Sequence, residues 1–337
     1  MHTRALGHDR LKVGALGYGA MTMSGIYEPA DENSAVAALR RAVELGITLV
    51  DTSDYYGKGQ RQPDSEQGHN EKLVGRALQG HRDQAVLATK VGYVFTGDGT
   101  PGLDGGPDHI RAACEASLQR LGVDYIDLYY LHRVDPKVPV EESIGAMAGL
   151  VEEGKVRHLG VSEPSAENVR RAHATHPVTA VQSEYSLVTR DVEAEVLPTC
   201  RELGIGFIPF ASLGRGLLTG TIRRAEDMAL TDWRRTTAPR FQSENLQANL
   251  DLVDLLREIA DRRGVALAQL ALAWRLHQGD DVVPLFGAPS PPIVDANSPA
   301  ADLLLSDGEL TEIDAIFPPD AATGERYPEE YLRDVAR

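Results

Sequence analysis

The 337-residue sequence predicts an α/β protein built as a (β/α)8 TIM barrel, a single domain across residues 1–337. Three observations predict it. Short β-branched runs alternate with long segments of helical periodicity, the alternation repeats eight times, and Leu-Gly-(Ile/Val) recurs where a helix hands over to a strand. Eight alternating pairs favour a closed parallel barrel over an open doubly wound sheet.

The strand runs lie near 13–16, 47–50, 85–89, 125–131, 156–161, 180–182, 205–209 and 282–285. Helical segments are expected at 32–45, 109–121, 140–153, 190–203 and 266–278. The first of these is the clearest, since it follows Asp31, a capping residue, and stops at Gly46. Leu45-Gly46-Ile47, Leu121-Gly122-Val123 and Leu203-Gly204-Ile205 are the joints. Glycine at such a joint takes the left-handed conformation that ends a helix. Three stretches that follow strands break the alternation: long loops near 57–68, 95–107 and 219–245. Loops after barrel strands build the active-site face, so these three are candidate pocket walls.

Composition narrows the function. Fifty acidic side chains against 34 basic ones leave a net charge of −16, which opposes binding to a nucleic-acid backbone. No apolar run is long enough to span a membrane and the first ten residues lack a signal core, so a cytoplasmic protein is expected. Cys114 and Cys200 form no Cys-x-x-Cys pair and read as buried, reduced thiols. The sequence shows no ligand cluster of zinc spacing, so no metal is expected, and it is silent on oligomeric state.

Chemistry enters at the strand ends. The strands run into Asp51, Lys90, His132, Ser162, Gln182 and Phe210. Taken singly, an aspartate after a strand reads as a cap, a lysine as solvated surface and a histidine as core. A barrel instead places all of them on one rim. A buried Lys90 needs a counter-charge, and Asp51 supplies one. In Asp51-Thr-Ser-Asp-Tyr-Tyr-Gly57, a tyrosine near that ammonium should have its pKa lowered from about 10 and serve as a general acid. On chemistry alone, Tyr55 and Tyr56 both qualify.

That segment, with Asn70-Glu-Lys-Leu-Val-Gly75 and Leu87-Ala-Thr-Lys90, resembles the aldo-keto reductase superfamily. So do Leu118-Gln-Arg-Leu-Gly-Val-Asp-Tyr-Ile-Asp-Leu-Tyr-Tyr-Leu-His132, Gly154-Lys-Val-Arg-His-Leu-Gly-Val-Ser162 and Val181-Gln-Ser-Glu-Tyr-Ser186. The branch it resembles is the one also similar to potassium-channel β subunits. The resemblance implies a tetrad of Asp51, Tyr56, Lys90 and His132, with Tyr56 rather than Tyr55 as the acid. It implies NAD(P)H-dependent reduction of a small aldehyde or ketone. Cofactor contacts carry over to Met21, Ser162, Glu163, Gln182, Phe210, Leu213, Arg215, Gly287 and Asn297. Ser162, Gln182 and Glu163 stand at the nicotinamide carboxamide, Phe210 on its face, and Arg215 at the pyrophosphate. The competing function is a nicotinamide-binding regulatory subunit with little turnover.

Two departures stand out. The family's aromatic-Ser-Pro-Leu turn reads Phe210-Ala-Ser-Leu213 here. After the eighth strand the chain reads Pro284-Leu-Phe-Gly287-Ala-Pro-Ser-Pro-Pro-Ile-Val-Asp-Ala-Asn297, and no Lys or Arg occurs between Arg275 and Arg326. The cations that grip a ribose 2′-phosphate in the family are gone. The resemblance names NADPH first, with NADH close behind.

Overall fold

A computed structural model of the chain describes residues 1–58, 66–95, 101–333 and 335. Its strands, in chain order, are β1 (Thr3–Leu6), β2 (Leu11–Gly14), β3 (Gly17–Gly19), β4 (Leu49–Asp51), β5 (Val86–Val91), β6 (Tyr93–Phe95), β7 (Pro101–Leu103), β8 (Ile126–Leu131), β9 (Val156–Ser162), β10 (Val178–Glu184), β11 (Gly206–Phe210) and β12 (Leu285–Phe286). Eight of them form one parallel sheet in the order β11-β10-β9-β8-β5-β4-β3-β12. A parallel bridge between Phe207 and Val282 brings the two edges together, so the sheet curls into a (β/α)8 barrel.

The helices between them begin and end where local chemistry dictates. Helix α1 (Glu32–Glu44) starts at Asp31, whose carboxylate accepts from the backbone of Ser34 at 2.6 Å. It buries Ala35, Leu39, Ala42 and Val43 in the main hydrophobic core. After α2 (His69–Leu78), helix α3 (Pro107–Leu121) opens on Pro107 and closes on Gly122. Gly46, Gly122 and Gly204 all take positive φ, at 84°, 66° and 64°, so each of the three Leu-Gly joints ends a helix as expected. Around the barrel follow α4 (Val140–Glu152), α5 (Ala166–Thr175), α6 (Val196–Glu202), α7 (Trp233–Thr236), α8 (Ser243–Arg263), α9 (Leu267–Leu276), α10 (Pro291–Asn297), α11 (Asp307–Ile316) and α12 (Glu329–Leu332).

Several expected boundaries move. The run at 13–16 is not the first barrel strand: β2 pairs antiparallel with β1, and Gly17–Gly19 supplies the barrel strand. Sequence pattern hides this because Gly-Tyr-Gly carries no β-branched residue. The approach of neighbours explains the glycine, since a Cβ on Gly17 would lie 2.5 Å from the Leu285 side chain. The last strand sits at Leu285–Phe286, later than 282–285. The helix expected over 190–203 breaks into a 3-10 turn, Asp191–Glu193, and α6. Part of the loop at 57–68 (residues 59–65) and part of that at 95–107 (96–100) lie outside the described residues; the flanks of the latter pair as the β6–β7 hairpin. The stretch 219–245 is not one loop but a chain of short helical turns leading into α8.

Inside the barrel, Leu49, Ala88, Leu128, Tyr130, Ala180, Ile208 and Leu285 pack together. Leu6 and Val13 from the β1–β2 hairpin join this cluster, so the hairpin closes the barrel floor. Each fully buried Leu contributes roughly 1.5–3 kcal/mol. Tyr130 fills the space above Gly160, where a Cβ would meet its ring at 2.4 Å. A packed floor leaves the opposite, C-terminal rim as the place for chemistry. No helix among the described residues is long and apolar enough to cross a membrane.

Candidate active site

The C-terminal ends of β4 and β5 are adjacent, with Asp51 opposite Ala88, and this sets Asp51 two residues short of Lys90 along the neighbouring strand. Lys90 is fully buried and its Nζ donates to Asp51 Oδ1 at 2.5 Å, to the Thr52 carbonyl at 2.8 Å and to Tyr56 Oη at 3.2 Å. Those acceptors use all three ammonium hydrogens. Gln182 Nε2, from β10 across the barrel, donates to the other Asp51 oxygen at 2.8 Å. Burial works against the Lys90 charge, but Asp51 and Tyr56 outweigh it and hold the ammonium above its usual range. Tyr56 reaches Lys90 because the turn after β4 is fixed at both ends: its N–H donates to Ser53 O, and its own carbonyl accepts from Asn70 at the start of α2.

Tyr56, not Tyr55, touches Lys90. Tyr55 instead stacks on Tyr93 (4.6 Å between ring centroids) and Phe95 (5.0 Å). The expectation that Lys90 lowers the Tyr56 pKa needs correction. Burial raises it more strongly than the ammonium lowers it, with Asp51 adding to the rise, so the phenol keeps its proton beyond the ordinary range.

His132 follows β8 directly and stands edge-on to Tyr56, with ring centroids 5.8 Å apart. Burial, then the charges of Lys90 and Arg133, pushes its pKa well below the usual value, so the ring is neutral. Its Nδ1 lies 3.1 Å from Ser53 Oγ, and that oxygen already accepts the Tyr55 N–H at 3.1 Å. The single hydroxyl hydrogen has two acceptors in reach, Nδ1 and, farther away, Asp54 Oδ1 at 3.4 Å; donation to the nearer Nδ1 leaves the proton of the neutral ring on Nε2. Ser53 was not among the sequence candidates; its place one residue before an acid in the Asp-Thr-Ser-Asp turn was the available signal.

Above these groups opens a cavity of about 790 Å³. Asp51, Tyr56 and His132 line it, with Met21, Ser162, Gln182, Phe210, Leu213, Arg215, Gly287 and Asn297. Tyr27, Tyr93 and Trp233 supply aromatic wall. The donor set suits a nicotinamide dinucleotide. Ser162 Oγ accepts from Arg133 at 3.2 Å and keeps its own hydrogen to give, and Thr22 Oγ1, buried at the cavity edge, finds no partner among the described residues. Arg215 and Gly216 turn through left-handed conformations, with φ of 57° and 98°, and shape the loop after β11.

Two expected contacts are placed differently. Glu163 is absent from the cavity wall: it sits in left-handed backbone (φ 53°), accepts the Glu184 N–H at 2.6 Å, and is gripped through both oxygens by Arg326 at 3.1 and 2.9 Å. Arg215 lines the cavity but is bound to Glu184 and lies 4.2 Å over the Tyr327 ring. Glu184 also has Arg240 at 3.8 Å and Arg326 at 4.0 Å. The C-terminal segment therefore docks on the rim and brings Tyr327 and Tyr331 into the cavity wall, a feature the sequence reading did not contain.

Comparison with known proteins is consistent along the chain. A family model described as the aldo/keto reductase family matches residues 15–317. A curated relative from Glycine max, a probable aldo-keto reductase 1, is 43% identical over 324 residues, covering 96% of this chain and 90% of its own. The structure of a glycerol dehydrogenase from Gluconobacter oxydans superposes with a TM-score of 0.83 at 29% identity, covering 99% of this chain and 96% of that one. An aldo/keto reductase from Klebsiella pneumoniae, solved in complex with NADP and acetate, gives a TM-score of 0.73 at 28% identity, covering 97% and 99%.

Proposed function

Because the chain belongs to the aldo/keto reductase family and is an NAD(P)H-dependent oxidoreductase, we propose that it reduces an aldehyde or ketone to an alcohol with Tyr56 as general acid. The observation that carries this reading is the chain of contacts from Asp51 through Lys90 to the Tyr56 hydroxyl, opening on the cavity beside a neutral His132. Ser162, Gln182 and Phe210 would hold a reduced nicotinamide, which would provide the hydride for the carbonyl carbon. Tyr56 gives its proton to the oxygen of the carbonyl, and Lys90, held by Asp51, stabilises the phenolate left behind. Through Nε2–H, His132 orients the carbonyl. Water at the mouth returns the proton to Tyr56. A cytoplasmic location fits the two free, buried cysteines.

The charge states fix a pH profile. His132 is held neutral from far below its ordinary pKa of about 6.5, and Tyr56 is held protonated beyond about 10. Reduction efficiency, kcat/KM, is therefore expected to stay level between about pH 6 and 9. A limb near 6.5 in that profile would show that His132 titrates during turnover.

The cofactor reading is finer. The cavity wall formed by Gly287, Pro289, Pro292, Ile293, Ala296 and Asn297 carries no cation. Arg41 is near α10, but it is committed to Asp295 at 2.7 Å and Glu44 at 3.3 Å. A 2′-phosphate needs charge-assisted donors, so the site should take NADH at least as well as NADPH. Paired fluorescence titrations, followed by nicotinamide oxidation with 4-nitrobenzaldehyde, test both statements. A Kd for NADPH far below that for NADH overturns the preference; no turnover with either cofactor overturns the reductase and favours a binding subunit.

A further inference from the structure

Three arginines among the described residues line the cavity, and their electrostatic situations differ. Arg215 is neutralised by Glu184, and Arg234 by Asp232 at 2.5 Å. Arg133 has no such partner. Its side chain is 7% exposed, and its Nη1 donates to two neutral oxygens, the His132 carbonyl at 2.7 Å and Ser162 Oγ at 3.2 Å. Its Nε is buried without a hydrogen-bond partner among the described residues. No carboxylate among the described residues lies within salt-bridge distance of it. Glu163, whose charge does reach Arg133, is already held through both oxygens by Arg326.

A guanidinium buried at this depth without a counter-ion is costly, unless the ligand brings one. The nicotinamide carboxamide, expected at Ser162, is neutral and cannot compensate the charge. A pyrophosphate is expected at the loop around Arg215, after β11, whereas Arg133 adjoins His132 on the far side of β9. Its guanidinium also lies 5.6 Å from the Tyr93 ring, on the wall built by Tyr93 and Tyr55. A charge with no carboxylate paired to it thus stands beside the groups that handle the carbonyl.

We propose that Arg133 selects carbonyl substrates that carry a carboxylate, pairing with it while Tyr56 and His132 engage the reacting oxygen. This rests on the reductase reading above and assigns its substrate class. The guanidinium is suited to the task because its planar fork binds a carboxylate through two parallel hydrogen bonds. Anchoring the carboxylate end of the substrate also positions the other end, so the effect belongs in kcat/KM for reduction rather than in cofactor affinity.

The test compares 4-carboxybenzaldehyde with its methyl ester, which keeps the ring and aldehyde and removes the charge. In the unaltered enzyme the acid is expected to exceed the ester in kcat/KM by about tenfold or more, the order contributed by a hydrogen bond to a charged group. Arg133→Gln should bring that ratio close to one, and Arg133→Lys should recover part of it. The ratio is taken within each variant, so a general loss of activity does not enter. Equal efficiency on acid and ester in the unaltered enzyme, or a preference that survives in Arg133→Gln, overturns the assignment of substrate class alone. Failure to reduce either aldehyde overturns the reductase reading beneath it.

Discussion

Tyr56→Phe is expected to cut carbonyl reduction by about 10²–10⁴-fold while the protein still folds and binds its cofactor. The substitution keeps the ring, which packs edge-on against His132, and removes only the oxygen that contacts Lys90. Lys90 retains Asp51 and the Thr52 carbonyl as acceptors, so no buried charge is stranded. The loss should appear in kcat and kcat/KM alike, because a proton donor acts in the transition state and not in the ground state. Steady-state kinetics with 4-nitrobenzaldehyde, alongside a fluorescence titration of cofactor, separates the two properties. Full activity in the variant would remove Tyr56 from the role of acid.

The second large effect concerns stability. Glu184 is 1% exposed, and its carboxylate faces Arg215, Arg240 and Arg326 while accepting from Thr189 Oγ1 at 3.1 Å. Burial alone would raise its pKa, but the arginines prevail and hold it below the usual carboxylate value. Replacing it by Gln keeps the shape and leaves the arginines facing a neutral amide, a change expected to cost about 3–5 kcal/mol. Denaturant midpoints measure it. The sign with pH follows from the depressed value. The contribution is complete above the ordinary carboxylate range and is lost as pH falls through the lower, folded-state pKa, so variant and parent should converge in strong acid. An unchanged midpoint at neutral pH would mean that the arginines are compensated elsewhere.

Much of this site is legible from sequence because a barrel converts strand ends into neighbours. Asp51, Lys90, His132, Ser162, Gln182 and Phe210 each close a β-branched run or a Leu/Tyr-rich one, and the fold gathers them on one rim. The Leu-Gly joints were legible for a local reason, since φ near +60° to +80° at three helix ends requires glycine. What escaped was non-local or depended on burial. Arg326 meets Glu163 across 163 residues, and no periodicity announces such a contact. The Tyr56 pKa was read from Lys90 alone, whereas desolvation, which the sequence does not reveal, decides its direction. Helix α8 did carry a signal, in the three- and four-residue spacing of Leu246, Leu250, Val253, Leu256 and Ile259, but its first turn lies within the polar stretch assigned to a loop.

The β1–β2 hairpin at the barrel floor has one further consequence. With Leu6 and Val13 seated among the interior side chains, the reaction chamber is a blind alley, and every molecule that enters must back out the way it came.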